Sequence, residues 1–451
     1  MNSRSSTDFS NYSAANKDLK MFWNKEIETM PREELEALQI KRLQKAAAAA
    51  AATPFYNKVF KNRGFDPSAI STLDNLRDIP LTTKNDLRLS YPSGMVAVKQ
   101  SDIVRMHASS GTTGKSTVIF YTAKDISEWA DLVARCMTAT GTTKDDVFQN
   151  MMGYGLFTGG LGLHYGAERL GAMVIPSATG NSLRQIQLMQ DFHTTVIHIT
   201  PSYALHLVEV ITEHGINPHD LTVKKAYLGA EPYSEGVRKK IEEQWNLEAY
   251  NSYGLSEMNG PGVAFECEEK NGMHIWEDFY IPEIINPDSG EILPDGEQGE
   301  LVITHINRDA MPILRYRTRD LTTIIPEPCA CGRTHRRIER IKGRTDDMLI
   351  VGGVNVFPSQ IETVLMRIPE VGNNYQILLD REGSLDRMHV KVELYSKMFD
   401  GDLKALKQLN KKIVEEMRAL ITINPKVEFL EPGSLPPSEG KAVRVIDKRE
   451  I

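Results

Sequence analysis

Cysteine is rare in this sequence of 451 residues, which contains four of them. Four cysteines in a chain of this length do not make a disulfide framework. The sequence has no apolar run near the ~20 residues that a membrane-spanning helix needs. Its polar start, MNSRSSTDFSNYSAANKD, lacks the apolar core of a signal peptide. Acidic residues outnumber basic residues, and the net charge is −7 at pH 7. This balance argues against nucleic acid or anionic lipid as a partner. These absences predict a cytoplasmic protein that binds neither nucleic acid nor membrane.

The composition is that of a folded globular protein, with 41% hydrophobic and 25% charged residues. A length of 451 residues exceeds one ordinary core and implies about two or three structural units. We expect residues 1–20 to form a flexible lead and residues 22–60 to be helical. In that helical stretch, the run of alanines at 46–52 suits a helix but presents little to pack. Cys136, in another helix-like segment, is expected to be a core residue.

Between residues 100 and 260, apolar β-type runs alternate with helix-like segments. The runs DVFQNMMGYG, GAMVIPSA, TTVIHITPS and VKKAYLGAEP read as strands that end near glycine, proline or serine. This alternation indicates an α/β sheet, whose ligands bind beyond the carboxyl ends of the strands. We expect turn-linked β structure at 281–325 and a last α/β unit at 344–451.

A glycine-rich loop, SSGTTG, occupies residues 109–114. It is not the loop of P-loop NTPases, because that motif requires a glycine five places before Gly114, where Ser109 stands. Its hydroxyls and backbone N–H groups can nevertheless wrap a polyphosphate. The composition leaves a solvated Ser/Thr/Gly loop open as the alternative.

Three cysteines and a histidine in the second half of the chain have the spacing of metal ligands. Cys267 and His274 belong to the pattern EC-x6-H, and Cys329 and Cys331 belong to PCACGRTH. Cysteines two apart are poorly placed to bond each other but well placed to chelate a metal. The four side chains would make a closed, structural zinc site, with His335 competing with His274 for the fourth position. Free thiols in a reducing cytoplasm are the alternative.

A series of short motifs follows the glycine-rich loop in order. They are LGAEP at 228–232, YNSYGLSEM at 250–258, YRTRDL at 316–321, GRTDDMLIVGGVNVFPSQIE at 343–362 and PPSEGKAVRVIDKR at 436–449. This ordered set resembles the adenylate-forming superfamily of acyl- and aryl-coenzyme A synthetases, luciferases and peptide-synthetase adenylation domains. It is most similar to the phenylacetate–coenzyme A ligase family, through ASSGTTGK, GYGLFTGGLGLHYGAERLG, SYGLSEMNGPGV and GGVNVFPSQIE. The resemblance extends from Phe22 to the C-terminus.

The resemblance implies an α/β fold, with a large N-terminal α/β domain at 1–342 that has additional β structure and a small, mobile α+β lid domain at 343–451. It implies an ATP-dependent aryl-acid–coenzyme A ligase that acts on phenylacetate or a related aromatic acid through an aryl-adenylate. The expected ligands are the acid, ATP, coenzyme A and Mg²⁺, and the chain could form a homodimer. Two alternatives stay open. One is an adenylating enzyme that passes the acyl group to a carrier-protein thiol or an amine; the other is a non-catalytic, zinc-stabilised nucleotide-binding protein.

The resemblance also implies which motif binds which part of the nucleotide. The glycine-rich loop would cradle the leaving pyrophosphate, Glu257 would hold Mg²⁺, and GAEP would form a wall for adenine. Tyr253 would stack on the base, Asp320 would accept the ribose hydroxyls, and Arg344 would reach the same nucleotide. As alternatives, Tyr253 could be a core residue and Asp320 could form an ion pair with Arg319 or a neighbour. The implied nucleotide and coenzyme A contacts are Ser109, Ser110, Gly111, Thr112, Thr113, Gly114, Gly229, Ala230, Glu231, Pro232, Tyr253, Asp320, Arg344, Gly352 and Gly353.

The acid would bind along MMGYGLFTGGLG, where a strand passes through a loop into a helix. Aromatic rings there would line an aryl group, and glycines would allow close approach. Ordinary packing of core aromatic residues is the alternative. The expected contacts are Met152, Tyr154, Phe157 and Gly254.

Lys441 in SEGKAVRV is the expected catalytic lysine, acting with Glu257. Its ammonium can approach both the attacking carboxylate and the α-phosphate, where negative charges must be brought together. The resemblance implies that the lid then rotates about a hinge near residues 342 and 343 and withdraws Lys441. The loop with Gly352 and Gly353 would then face the adenylate and leave room for the coenzyme A thiol.

Overall fold

The structure is a computed structural model and describes residues 21–109, 116–351, 354–382, 385–399, 403–436 and 443–449. Several predicted features lie outside the described residues. They are the flexible lead at 1–20, the loop residues Ser110, Gly111, Thr112, Thr113 and Gly114, the pair Gly352 and Gly353, and Lys441.

The α-helices of the described chain begin and end at local sequence signals. α8 starts after Thr200, whose side chain accepts a hydrogen bond from the N–H of Tyr203. α9 starts after Ser234 in the same way and ends before Asn246, which has a left-handed φ of 54°. The helices are α1 (Lys25–Glu28), α2 (Arg32–Ala51), α3 (Pro54–Arg63), α4 (Lys84–Leu89), α5 (Ala123–Ala139), α6 (Thr158–Leu170), α7 (Ser182–Asp191), α8 (Pro201–Glu213), α9 (Glu235–Trp245), α10 (Pro358–Leu365) and α11 (Leu403–Ile421).

The strands form one large sheet and three smaller ones within the described residues. They are β1 (Ile103–Ser109), β2 (Thr117–Thr122), β3 (Val147–Asn150), β4 (Met173–Ile175), β5 (Val196–Ile199), β6 (Lys225–Leu228), β7 (Glu248–Leu255), β8 (Gly260–Glu266), β9 (Met273–Ile275), β10 (Tyr280–Ile285), β11 (Gln298–His305), β12 (Tyr316–Ile325), β13 (Arg337–Ile338), β14 (Gly343–Arg344), β15 (Leu349–Val351), β16 (Val354–Val356), β17 (Val371–Glu382), β18 (Leu385–Leu394), β19 (Lys426–Leu430) and β20 (Val445–Asp447). The strand order of the large sheet is β10-β11-β12-β13-β9-β8-β7-β6-β5-β3-β4, with β14 paired to β12.

The parallel part of the large sheet runs from β4 through β3, β5 and β6 to β7. Every residue of β5 is buried, as expected for a parallel strand covered on both faces. The four runs that were predicted as strands are β3, β4, β5 and β6, so the α/β alternation is confirmed. Because the carboxyl ends of parallel strands share one edge, the segments that follow β3, β5 and β6 meet there.

The antiparallel part of the same sheet continues from β7 through β8, β9, β13, β12 and β11 to β10. β10, β11 and β12 are the turn-linked β structure predicted at 281–325. β14 pairs with β12 so that Arg344 lies opposite Asp320 in the register. This pairing joins the large sheet to the C-terminal part of the chain.

The C-terminal part is an α+β unit around a four-stranded sheet with the order β19-β18-β17-β20. β17 and β18 are antiparallel, whereas β19 and β20 are parallel to their neighbours. The sheet packs with α10 and α11 around its own core, which includes Ile361, Val390 and Ile413. Separate cores, around Trp276 and around Trp245, belong to the large sheet.

The alanine run packs more closely than the sequence analysis expected. Ala46, Ala47 and Ala50 of α2 are 5%, 0% and 0% exposed. They lie in one apolar cluster with Tyr56 and Phe60 of α3. The expectation that this run presents little to pack is therefore wrong, because its methyl groups fill a close contact between α2 and its neighbours.

No described helix combines the length and the apolar character needed to cross a lipid bilayer.

Candidate active site

The predicted site segments meet at the carboxyl edge of the parallel strands. β3 ends at Asn150, directly before the predicted acid-binding segment, and β6 ends at Leu228, directly before GAEP. β7 contains Tyr253, and Glu257 follows it in a short 3-10 turn. The fold therefore brings together residues that are far apart in the sequence.

Asp320 lies between two hydrogen-bond donors from different parts of the chain. Tyr253 donates from Oη to Oδ2 at 2.6 Å, and Arg344 donates from Nη1 to Oδ1 at 3.0 Å. Arg319, the alternative partner, has its Nη1 3.6 Å from Oε2 of Glu300. Burial raises the pKa of Asp320 to about 6, against the opposing effects of Arg344 and the Tyr253 hydroxyl. A buried carboxylate held in this way can offer its remaining lone pairs to hydroxyl groups.

Glu257 is a buried carboxylate beside a partly exposed lysine. The residue is 5% exposed, and its Oε1 is 3.9 Å from Nζ of Lys84, the first residue of α4. Arg308 donates from Nη1 to the Glu257 carbonyl oxygen at 2.8 Å and so fixes the backbone. Burial, with the Glu257 carboxylate, raises the pKa of Tyr316 well above its ordinary value, so that its hydroxyl stays a donor. A fixed carboxylate next to a cation suits a site for Mg²⁺ and phosphate oxygens.

The GAEP segment is held against β7 and α8 by close backbone contacts. A Cβ at Gly229 would lie 2.7 Å from a carbonyl oxygen of β7, so a larger residue does not fit there. Ala230 has a φ of 69°, which is uncommon for a residue other than glycine. Glu231 accepts a hydrogen bond at Oε1 from the N–H of Ser202, at 2.6 Å. With Pro232 the segment forms a firmly positioned wall between β7 and the start of α8.

Tyr154 belongs to a polar network at the start of the acid-binding segment. Its Oη is 2.9 Å from Nδ2 of Asn150 and 3.1 Å from Nδ1 of His164. Oδ1 of Asn150 lies 3.0 Å from Nδ1 of His198. Burial lowers the pKa of His198 to about 3, so this imidazole is neutral at physiological pH. The network fixes Tyr154 in place while its ring stays partly accessible.

The other expected acid contacts differ in their exposure. Met152 is 5% exposed, whereas Phe157, the residue before α6, is 36% exposed. A Cβ at Gly159 would lie 2.3 Å from the Phe157 ring, so the glycine lets this ring lie against the helix. A Cβ at Gly254 would lie 1.9 Å from the Gly260 carbonyl oxygen, so β7 and β8 approach with no side chain between them. Glycine thus makes the close packing of this segment possible.

Ser109 places the base of the glycine-rich loop beside the acid-binding segment. Its Oγ hydrogen-bonds with Oγ1 of Thr117 across the β1–β2 pair. The preceding residue, Ala108, donates its N–H to the Leu156 carbonyl oxygen at 2.9 Å. His107 contacts the same oxygen from Nδ1 at 3.0 Å. The end of β1 at Ser109 therefore lies next to the segment predicted to bind the acid.

The four predicted metal ligands lie together in the antiparallel part of the sheet. Cys267, His274, Cys329 and Cys331 are buried, and their ligand atoms all lie within 4.8 Å of one another. The Sγ atoms of Cys267 and Cys329 are 3.8 Å apart, which matches the roughly 3.8 Å edge of a tetrahedron with Zn–S bonds of about 2.3 Å. Cys136 is fully buried in α5, as predicted for a core residue.

His335 has both ring nitrogens engaged elsewhere. Its Nδ1 accepts the N–H of Glu277 at 2.8 Å, and its Nε2 lies 3.0 Å from the carbonyl oxygen of Ile27. His274 instead lies with Nε2 3.3 Å from Sγ of Cys331 and with Nδ1 3.0 Å from the His335 carbonyl oxygen. A second hydrogen bond of this kind is typical of an imidazole metal ligand. The structure therefore favours His274 over His335 as the fourth ligand.

Two family descriptions match this chain. The description "AMP-binding enzyme" matches residues 33–307, which is more than half of the chain. The chain belongs to the AMP-binding enzyme family. The description "AMP-binding enzyme C-terminal domain" matches residues 353–449 and covers the C-terminal α+β unit of this AMP-binding enzyme.

Among proteins similar to this AMP-binding enzyme is the phenylacetate-coenzyme A ligase of Thermus thermophilus. It is 47% identical over 445 residues, which cover 95% of this chain and 100% of the relative. The predicted resemblance to phenylacetate–coenzyme A ligases is thereby confirmed.

Solved structures of a 2-hydroxyisobutyryl-CoA ligase are also similar to this AMP-binding enzyme. The postadenylation state in complex with R3-HIB-AMP has a TM-score of 0.90 at 30% identity, covering 96% of this chain and 93% of that one. The thioesterification state, with 2-HIB-AMP and CoA, has a TM-score of 0.70 at 31% identity, covering 95% of this chain and 93% of that one. Coverage is nearly equal, so the arrangement of this chain is more similar to that of the postadenylation structure than to that of the thioesterification structure.

Several polar residues of the site were not predicted from the sequence, among them Lys84, Asn150, His164 and His198. Lys84 lies in a stretch, TTKND, that has no phosphate-binding pattern, and only the fold brings it to Glu257. The other three, Asn150, His164 and His198, form the network around Tyr154. Asn150 and His198 stand at or near strand carboxyl ends, and this position was the signal that could have identified them.

Proposed function

We propose that this AMP-binding enzyme is an ATP-dependent ligase that joins phenylacetate, or a related aromatic acid, to coenzyme A. The observation that carries the proposal is the position of two buried carboxylates, Glu257 and Asp320, at one strand edge with a glycine-lined aromatic segment. The acid carboxylate attacks the α-phosphorus of ATP and pyrophosphate leaves. The coenzyme A thiol then attacks the acyl carbon and AMP leaves with the bonding electrons. The 47% identity with a phenylacetate-coenzyme A ligase supports the choice of acid.

Asp320 binds the ribose of ATP in this proposal. Its carboxylate accepts the two ribose hydroxyls, while Tyr253 and Arg344 hold it in position through their hydrogen bonds. The adenine ring lies against the GAEP wall. Burial of the site strengthens these polar contacts, because the local dielectric constant is low. The contacts orient the α-phosphorus toward the acid.

Glu257 would hold the Mg²⁺ that accompanies the triphosphate, and its fixed carboxylate fits that role. The ion, when bound, supplies charge neutralisation at the phosphate oxygens. Lys84, 3.9 Å from this carboxylate, adds a positive charge at the same place. The glycine-rich loop at 109–114 would wrap the pyrophosphate with its N–H groups and hydroxyls.

The acid binds between Met152, Tyr154 and Phe157 in this proposal, with its carboxylate beside the exposed backbone of Gly254. Aromatic and apolar side chains bury an aryl group favourably. We therefore expect monocarboxylic aryl and arylacetic acids to be preferred over dicarboxylic and short aliphatic acids. Acetate with a kcat/KM equal to that of the best aryl acid would contradict this assignment.

The chain divides, in the proposal, into an adenylation domain at 1–342 and a lid at 343–451. Lys441 on the lid promotes adenylate formation, and rotation then brings Gly352 and Gly353 to the adenylate for thioester formation. The C-terminal core, which is separate from those of the large sheet, supports a lid that moves as one body. The unequal likeness to two states of a 2-hydroxyisobutyryl-CoA ligase supports a change of orientation.

One experiment tests the activity: a panel of aryl acids is assayed for AMP formation with and without coenzyme A. The proposal expects AMP to accumulate steadily only when both the aryl acid and coenzyme A are present. Transfer to a carrier-protein thiol or an amine in place of coenzyme A would indicate the alternative adenylating enzyme. Absence of acid-dependent exchange of pyrophosphate into ATP would indicate a non-catalytic nucleotide-binding protein.

A structural zinc ion bound by Cys267, His274, Cys329 and Cys331 is part of the proposal. The four side chains leave no position open for a substrate, so the ion would stabilise the fold and take no part in the reaction. Metal analysis of purified protein should find about one zinc per chain. A homodimer also stays a prediction, which sedimentation analysis of the purified protein would test.

A further inference from the structure

Polar side chains of α8 and α9 bind directly to the C-terminal α+β unit. Lys240 of α9 donates from Nζ to the carbonyl oxygens of Val371 and Gly372, at 3.2 Å each. Glu209 of α8 accepts a hydrogen bond at Oε1 from Nδ2 of Asn373, at 2.5 Å. All three partners lie at the beginning of β17. One short stretch of chain is thus held by two helices, through two backbone carbonyl groups and one side-chain amide.

A second contact joins the start of α9 to α10. The N–H of Ser234, the residue before α9, donates to Oε1 of Glu362 at 2.8 Å. Oε2 of the same carboxylate accepts the Tyr375 hydroxyl at 2.9 Å. A negative charge at a helix N-terminus interacts favourably with the unpaired N–H groups of the first turn.

Apolar packing between the two parts is close at the same place. A Cβ at Gly236 would lie 3.3 Å from Cβ of Met366, so the absence of a side chain lets α9 approach the end of α10. Met366 packs against the core around Trp245 and also against the C-terminal core. The polar contacts therefore lie around a direct apolar contact between the core around Trp245 and the C-terminal core.

The hydrogen bonds of Lys240 depend directly on the orientation of the C-terminal unit. The two carbonyl oxygens that accept its hydrogen bonds belong to the C-terminal unit. Tyr395 of the same unit lies beneath it, with 5.0 Å from Nζ to the ring centroid. A rotation of that unit removes both acceptors and the ring together.

We infer that Lys240 is a positioning residue, which stabilises the orientation described here by binding the first carbonyl groups of β17, and that this is the orientation in which the adenylate forms. This inference rests on the proposed function, since it assigns the two half-reactions to two orientations. Lys240 touches neither ATP nor the acid, and it acts through the position of the lid that carries Lys441. Its loss changes the balance between the half-reactions while the chemistry of each stays the same.

The test measures the two half-reactions separately in Lys240→Met, which keeps the length of the side chain and removes its donors. Acid-dependent pyrophosphate exchange reports adenylate formation, and supplied phenylacetyl-adenylate with coenzyme A reports thioester formation. The ratio of the first rate to the second should fall about 10-fold, since hydrogen bonds from a charged donor are lost. Lys239→Met, on the exposed neighbouring residue of the same helix, should leave the ratio unchanged.

Hydrogen exchange supplies a readout that does not depend on activity. The amide of Ser234 is protected by Glu362 only while the two parts are in contact. A peptide that contains Ser234 should exchange faster in Lys240→Met and at the wild-type rate in Lys239→Met. Asn373→Ala removes the contact with Glu209 by a change in the C-terminal unit. Like Lys240→Met, it should lower the ratio of adenylate formation to thioester formation and speed the exchange of the Ser234 peptide.

Different failures have different meanings. Wild-type protein without any acid-dependent pyrophosphate exchange would refute the proposed function. Wild-type protein with both half-reactions, but with an unchanged ratio and unchanged Ser234 exchange in Lys240→Met and Asn373→Ala, would overturn the inference alone. An equal loss of both half-reactions in Lys240→Met and Asn373→Ala that unfold at the wild-type temperature would also overturn it, because the contact would then not favour one orientation over the other.

Discussion

Tyr253 and Asp320 form a buried hydrogen bond, with 2.6 Å between Oη and Oδ2. One residue is on β7 and the other on β12, which are separated in the large sheet by β8, β9 and β13. The bond thus joins two strands that are not neighbours in the sheet, and it holds the proposed ribose-binding carboxylate beside the end of β7.

Tyr253→Phe should weaken ATP binding with little change in kcat. The loss of a hydrogen bond to a charged group costs roughly 1.5–3 kcal/mol, so the KM for ATP should rise about 10-fold or more. Initial-rate kinetics with varied ATP measure this. Tyr250→Phe is the matched control, because this tyrosine of the same strand donates to Glu248, away from the site. Equal effects of both substitutions would mean that the strand was damaged.

ATP binding should weaken as the pH falls through about 6. Burial raises the pKa of Asp320 to about 6, so its carboxylate is ionised above that pH and protonated below it. Only the ionised form can accept both ribose hydroxyls with all its lone pairs. The KM for ATP should therefore rise below pH 6 in the wild type. In Asp320→Asn the KM for ATP should be high at every pH and should show no further rise below pH 6. A pH profile identical to that of the wild type would contradict the assignment.

Lys84→Met should slow adenylate formation, because the lysine lies 3.9 Å from the Glu257 carboxylate, where phosphate charge is expected. Loss of one charge-stabilising contact predicts roughly a 10-fold to 100-fold decrease in kcat/KM for ATP. Thioester formation from supplied adenylate should be nearly unchanged, since pyrophosphate has already left. Lys58→Met, on an exposed residue of α3, is the control and should behave as the wild type in both assays.

Cys329→Ser should lower the zinc content and the thermal stability more than it alters the affinity for coenzyme A. A structural zinc site contributes its binding free energy to folding, so losing a thiolate ligand weakens the folded state. Elemental analysis and thermal unfolding measure the two effects. Cys136→Ser removes another buried cysteine and should retain the metal. Native protein with no zinc and freely titratable thiols would reject the site.

Lys441→Ala and Gly353→Trp should affect opposite half-reactions. Removing the ammonium should slow adenylate formation ~10²-fold or more while supplied adenylate is still converted to thioester. The bulky side chain at residue 353 should instead block the approach of the thiol. Pyrophosphate exchange and thioester formation are measured separately for each variant. An equal decrease of both rates in Lys441→Ala would contradict the division of labour between two lid orientations.

The sequence by itself determined the family and the fold class, and it predicted most members of the candidate site. Local patterns can be recognised without knowledge of the fold. They include ordered motifs such as LGAEP and YNSYGLSEM, and the alternation of β-type runs with helices. The packing of the alanine run at 46–52 was predicted wrongly, because it depends on how closely α3 approaches α2. The spacing of the cysteines can also be read directly from the sequence, and it indicated a metal site. The spacing alone did not decide between His274 and His335 as the fourth ligand.

The tertiary structure decided everything that depends on where distant segments meet. Lys84 lies beside Glu257, and Lys240 holds β17, because the sheet and its helices bring separate stretches of chain together. His274 lies with the cysteines because β9 pairs with β8 and β13, whereas the ring of His335 turns toward the N-terminal helices. Side-chain direction and burial, which set the pKa of Asp320, follow from that packing. A motif can therefore name the residue types of a site, but distances between elements exist only in the folded chain.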